Sequence, residues 1–189
     1  SADHPEKRWP VDRFAKIATW VADAGITPVV IGAKAEGDIG TQIMKLEPRS
    51  KSLIGRTDLF QLATLAERAV FALGGDTGPM HLAAAARTPG VCLFAQEWND
   101  EMGRELRSVW NPKTRLGRAA PRGGPMMVLH AAALEALSVD DVKRAALGLG
   151  ALPPNITRPA PVAAPSAEGP SEPDLPIESS PELTEGSDS

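Results

Sequence analysis

The run Gly74-Gly75-Asp76-Thr77-Gly78-Pro79-Met80-His81-Leu82-Ala83-Ala84-Ala85 holds the residues of this chain best suited to chemistry. It follows Val70-Phe71-Ala72-Leu73, an apolar stretch that reads as a buried strand, and it leads into alanines that favour a helix. A strand turning through glycines into a helix presents unpaired N–H groups and the positive end of the helix dipole to the crevice in front of it. That arrangement suits an anion. Thr77 can donate both an N–H and a hydroxyl, and Gly78 lets backbone approach closely. Pro79 gives up no needed hydrogen bond in a first helical turn. A negative Asp76 would repel phosphate, so it suits sugar hydroxyls better, or it caps the helix, or both. His81 either reaches the ligand or packs beneath the turn. Asp76 and His81 stand at i and i+5 across a helix start, a spacing not expected to converge. With no evident third ligand, a metal site is not expected there.

The elements that must hold this turn are legible around it. Trp9-Pro10 opens a helix, Phe14, Ile17, Ala18 and Val21 recur at helical spacing, and Gly25 closes it. Thr27–Gly32 reads as a short strand, followed by a polar loop and a helix from about Asp38 to Leu46. Ser52–Gly55 reads as a brief strand, and Asp58 as the cap of a helix carrying Leu62, Leu65 and Ala66. The strand Val70–Leu73, the motif helix to about Arg87 and the strand Val91–Phe94 follow. Cys92 reads as core. Strands alternating with helices at this spacing predict a parallel α/β sheet, with ligands beyond the carboxyl ends of the strands. Gly32–Glu36, Gly55–Thr57 and Gly74–Gly78 all fall there. Residues 95–125 carry no clear pattern beyond a basic, loop-like stretch, although Glu97 and Trp98 are expected on the ligand edge. Met126–His130 reads as an edge strand, and Ser138 as the cap of a last helix reaching Gly148.

The formal charge of -4 over 189 residues is unevenly spread. From Ala151 onward seven acids face one base, Arg158, in a stretch rich in Pro, Ala, Ser and Glu. Such a tail buries too little surface to offset its ordering entropy and is expected to be disordered, leaving residues 1–150 as the folded domain. Those residues are close to neutral, which argues against bulk nucleic-acid binding. A single cysteine allows no internal disulfide and fits a reducing, cytoplasmic compartment. No apolar run is long enough for a membrane span. The start carries no signal-peptide pattern and no initiator methionine, as expected of a fragment whose N-terminus lies upstream.

Lys7-Arg8-Trp9-Pro10, the strand ending at Gly32 with Glu36 just beyond, Gly55-Arg56-Thr57-Asp58-Leu59 and the Asp76–Ala85 run occur in an order that resembles glycosyltransferase family 9, the ADP-heptose:lipopolysaccharide heptosyltransferases. The resemblance runs from about Lys7 to Phe94 and more loosely to Gly148. It implies a GT-B fold, two Rossmann-like domains facing across a cleft, of which this chain resembles only the C-terminal, donor-binding one. Members of the family begin that domain with a strand and a glycine-containing loop ahead of the Lys-Arg-Trp-Pro segment, and Ser1–Glu6 is no apolar strand. The resemblance implies that Lys7 neutralises the donor diphosphate, that Glu36 accepts the ribose hydroxyls, with Asp38 as the competing acid, and that Thr57, Asp58 and Leu59 lie against the adenine. It further implies that Asp76 holds sugar hydroxyls, that Thr77 and Gly78 meet the phosphates, and that His81 faces the diphosphate or the sugar. Lys7 and His81 would stabilise the leaving group. The general base would come from the absent N-terminal domain, so the chain alone is expected to be inactive. The expected ligands are an ADP-sugar donor and a lipid-linked saccharide acceptor at the inner membrane surface, with no cofactor beyond the donor.

Overall fold

A computed structural model describes residues 8–95 and 120–152. The expectations for Lys7, Glu97, Trp98, most of 95–125 and nearly all of the acidic tail lie outside the described residues. Those described belong to one unit, Ser1–Pro159. Helix α1 (Val11–Asp23) leads to strand β1 (Val29–Val30), a 3-10 turn (Lys34–Glu36) and α2 (Gly37–Leu46). Next come β2 (Lys51–Ser52), α3 (Leu59–Arg68), β3 (Ala72–Gly75), α4 (Gly78–Ala85), β4 (Gly90–Ala95) and β5 (Met126–Ala131). A second 3-10 turn (Leu134–Ala136) and α5 (Val139–Gly148) finish the described part. Every strand pairing among the described residues is parallel: β1 with β2, and β3-β4-β5 in that order. The expected α/β class with a parallel sheet is therefore correct, but the sheet is in two pieces. Among the described residues no helix is long and apolar enough to cross a membrane.

Local chemistry explains the element ends. Gly25 adopts φ +82° just past α1, its N–H bonding Ala22 at 3.0 Å while the Ile26 N–H bonds Val21 at 3.0 Å. This double closure needs a left-handed residue, which glycine supplies without a Cβ penalty. The Asp58 carboxylate accepts from the Gln61 N–H at 2.8 Å, and the Gln61 side chain accepts from the Asp58 N–H at 3.0 Å. Ser138 and Asp141 form the same reciprocal cap on α5. Ladder-like bonds between the β1 and β2 segments continue past the regular strands, from Lys51 N–H to the Pro28 carbonyl through to Gly55 N–H to the Gly32 carbonyl.

Alternation along β4 divides the core. Val91 and Leu93 pack with Trp9, Ile17, Trp20 and Val21 of the α1 segment and with Val142, Ala145 and Ala146 of α5. Cys92 and Phe94 face the other side, with Ala120 and Val128. Met80 of α4 lies on that second side, against Gly74. Helix α1 packs against both α2 and α5, and α3 packs against α4, so a helix layer covers each face. The Trp9 indole N–H bonds the Leu137 carbonyl at 2.8 Å, and Arg13 donates to the same carbonyl at 2.6 Å. These bonds fix the start of α1 beyond the C-terminal end of β5.

Candidate functional site

Two clusters stand at the C-terminal ends of the strands. The first is built on β3 and α4. Strand β3 was expected at Val70–Leu73 and lies at Ala72–Gly75 instead. Pairing begins where the Ala72 N–H reaches the Pro89 carbonyl at 2.8 Å, and Val70, ahead of it, is 46% exposed. Gly74 and Gly75 are thus strand residues, and the turn itself is Asp76-Thr77. A Cβ on Gly74 would come within 3.0 Å of Met80 Cγ, so the glycine is what lets α4 sit close on the strand.

Thr77, not Asp76, is the N-cap of α4, and its hydroxyl points back to the Gly75 carbonyl at 3.4 Å. The Met80 and His81 N–H groups turn to the Thr77 carbonyl at 3.0 and 3.4 Å, and Pro79 has none. That leaves Thr77 and Gly78 as the backbone donors of the turn, a narrower cradle than four free amides. A Cβ on Gly78 would meet nothing within 4 Å, so the space before the helix is open.

Asp76 and His81 converge, contrary to the expectation from their spacing. His81 Nε2 lies 4.0 Å from Asp76 Oδ1, with side chains 47% and 26% exposed respectively. The convergence follows from the one-residue shift of the cap. With Thr77 as N-cap, Asp76 sits above the first turn, and a long side chain at the fourth helical position leans back toward the N-terminus to meet it. Among the described residues no third His, Cys, Asp or Glu completes a metal-binding group around the pair. Beneath them Cys92 is fully buried, its thiol pushed up to about 12 by burial and then by the Asp76 charge. It is a core group, as its place in an apolar strand predicts.

The second cluster follows β1 and β2. The Gly55 N–H bonds the Gly32 carbonyl at 2.9 Å, and Gly55 at φ +66° passes so close to Lys34 that a Cβ would lie 3.0 Å from its Cα. This contact ties the Glu36 loop to Thr57. Glu36 sits in the 3-10 turn, with Oε2 accepting from the Ala33 N–H at 2.7 Å, so half of its carboxylate is spent on its own loop. Asp38 is exposed in the first turn of α2. Asp58 serves as the cap of α3. Leu59 does not pack inward: it is 63% exposed. Its neighbour Phe60, 83% exposed, escaped the sequence reading, which followed the inward stripe of Leu62, Leu65 and Ala66. The signal was present, because Phe60 shares its stripe with the polar Thr64 and Glu67.

Helix layers on both faces of parallel strands, with a strand-to-helix turn at the carboxyl edge, define a doubly wound α/β protein, a class in which ligands generally bind beyond the carboxyl ends of the strands. Residues 1–118 match the family described as glycosyltransferase family 9 (heptosyltransferase), and the chain belongs to that family. It is 30% identical over 95 residues to lipopolysaccharide heptosyltransferase 2 of Escherichia coli strain K12, an alignment covering 48% of this chain and 27% of that protein. The chain thus spans little more than a quarter of this curated relative. Its fold is similar to that of a family 9 glycosyl transferase from Veillonella parvula, with a TM-score of 0.64 and 22% identity over 79% of this chain and 43% of that one. It is also similar to the E. coli heptosyltransferase WaaC with ADP, with a TM-score of 0.61 and 22% identity over 79% and 42% of the two chains.

Proposed function

We propose that this chain is the donor-binding half of a GT-B glycosyltransferase that transfers heptose from ADP-heptose, with inversion, to a lipopolysaccharide-core or similar lipid-linked acceptor at the cytoplasmic surface of the inner membrane. The observation that carries the reading is the turn after β3, where two backbone donors and the α4 dipole stand beside a converging acid and histidine. Family membership and the presence of ADP in a similar structure support it.

In this reading the diphosphate lies before Thr77 and Gly78, where a desolvated anion gains most from fixed N–H donors. His81 hydrogen-bonds the diphosphate as the sugar leaves. Asp76 accepts from sugar hydroxyls and holds the imidazole on its other side. Lys7 adds a compact positive charge, Glu36 takes the ribose through the carboxylate oxygen not committed to Ala33, and Leu59 with Thr57 covers the adenine. These groups carry the leaving-group charge without a metal. The base that deprotonates the acceptor belongs to the N-terminal domain, so the chain alone binds donor without turning it over.

Calorimetry with ADP and ADP-sugars on the 189-residue chain tests this, with His81→Ala expected to weaken ADP binding by roughly tenfold, the loss of one charge-assisted hydrogen bond. No binding at millimolar nucleotide by a folded sample refutes the reading.

A further inference from the structure

Helix α4 carries the donor amides of the site at its N-terminal end, yet little along its length fixes where it lies. After Met80 its buried residues are Ala83 and Ala84, and alanines offer no large ridge to lock a helix against sliding on the sheet. Its C-terminal end is held instead by close backbone contact. A Cβ on Gly124 would lie 2.8 Å from Arg87 Cα and 3.0 Å from the Ala84 carbonyl oxygen. A Cβ on Gly123, at φ +124°, would lie 2.8 Å from the same oxygen. These are backbone atoms, so no rotamer change relieves the contact, unlike that of Gly74 with the Met80 side chain. The two glycines are themselves fixed, because the next residue, Pro125, accepts the Gly90 N–H of β4 at 3.1 Å. Thr88, 3% exposed, completes the hold: its N–H bonds the Ala83 carbonyl at 2.9 Å and its hydroxyl the Ala66 carbonyl of α3 at 2.5 Å.

We infer that Gly123, Gly124 and Thr88 are positioning residues that set α4 along its axis and so place the Thr77 and Gly78 N–H groups against the donor diphosphate, an inference that rests on the function proposed above. The eight residues of α4 make a rod about 12 Å long. Interiors packed to solid density transmit a displacement rather than absorb it, so a push at Ala84 and Arg87 arrives at Gly78. Hydrogen bonds weaken steeply with distance and angle, so a small shift of these donors is felt by the ligand. The chain leading into β5 thus belongs to the machinery of the site, although it touches the helix at the end far from the ligand. Glycine is required there because two backbones meet with no room for a side chain between them.

Three variants of the 189-residue chain test it, by amide NMR shifts and by ADP calorimetry. Gly124→Ala pushes on the last turn of α4. Thr88→Val releases the tie to α3 at nearly constant shape, and the Ala66 carbonyl keeps the Ala69 N–H at 3.0 Å. Val142→Ala opens a cavity under α5 on the other face of the sheet, a loss of stability that does not touch α4. Without ligand, the Thr77 and Gly78 amide resonances are expected to move in the first two variants and to stay in the third. ADP binding is expected to weaken about tenfold in Gly124→Ala and about threefold in Thr88→Val, and to be unchanged in Val142→Ala. If Gly124→Ala does not fold, Thr88→Val decides. Unmoved Thr77 and Gly78 resonances overturn the inference, as does ADP affinity that is unchanged in all the variants or equally reduced in all of them. Failure of the unaltered chain to bind ADP refutes the proposed function and the donor assignment with it, whereas the resonances, read without ligand, still judge the seat of α4.

Discussion

The seating of α4 on β3 depends on one missing methyl group. A Cβ on Gly74 would lie 3.0 Å from Met80 Cγ and 3.1 Å from its Sδ, tighter than ordinary van der Waals contact. Met80 is 4% exposed and has little room to yield. Gly74→Ala gains about 0.5–1 kcal/mol from reduced backbone freedom. Overpacking a filled site costs about 1–3 kcal/mol, so the net expectation is a loss of about 1–2 kcal/mol. Met80→Ala costs about 2–5 kcal/mol by opening a cavity. In that background the clash is gone, and Gly74→Ala becomes neutral or slightly stabilising. The two substitutions should therefore couple by about 2 kcal/mol in a double-mutant cycle. Urea unfolding of the four proteins measures this, with an unchanged m-value as the check that compactness is the same. Additivity within about 0.5 kcal/mol refutes the claim that Gly74 exists to admit α4. Because α4 carries Gly78 and His81, Gly74→Ala should also weaken ADP binding.

Three further outcomes are expected. Arg87 closes α4 in the left-handed region at φ +61°, with its N–H on Ala84 at 3.0 Å and the Thr88 N–H on Ala83 at 2.9 Å. Arg87→Gly keeps both bonds without the Cβ strain and should stabilise the fold by about 0.5–1 kcal/mol in chemical denaturation. The Glu47 carboxyl is held down at about 2 from an ordinary 4.5, chiefly by hydrogen bonds from the Arg49 side chain. A depressed folded value means stability present above pH 4.5 and lost as pH falls toward 2, so Glu47→Gln should flatten the melting temperature across that window. The Cys92 thiol, fully buried and pushed up to about 12, should resist thiol reagents in the native protein and react only on unfolding.

Local rules reach as far as groups close in sequence can satisfy one another. Asp58 with Gln61, Ser138 with Asp141, and Gly25 behind α1 were legible because each cap is closed by a neighbour within a few residues. The alternation of Val91, Cys92, Leu93 and Phe94 fixed a strand with two buried faces, and the order of strands and helices fixed the parallel α/β class. The edge on which the motifs gather followed from the same order, and the family followed from the motifs themselves, Lys7-Arg8-Trp9-Pro10, Gly32 with Glu36, Gly55–Leu59 and Asp76–Ala85. What tertiary structure decided was registration. Where β3 begins depends on Pro89, seventeen residues away from Ala72, and that pairing moved the strand two residues along and made Gly74 and Gly75 part of it. The shift made Thr77 the cap and brought His81 to Asp76, which spacing along an ideal helix start did not suggest. Phe60 faces outward because α4 covers the other stripe of α3. The division of the described strands into β1-β2 and β3-β4-β5 was decided in the same way, since which strands pair depends on which neighbour lies beside each edge.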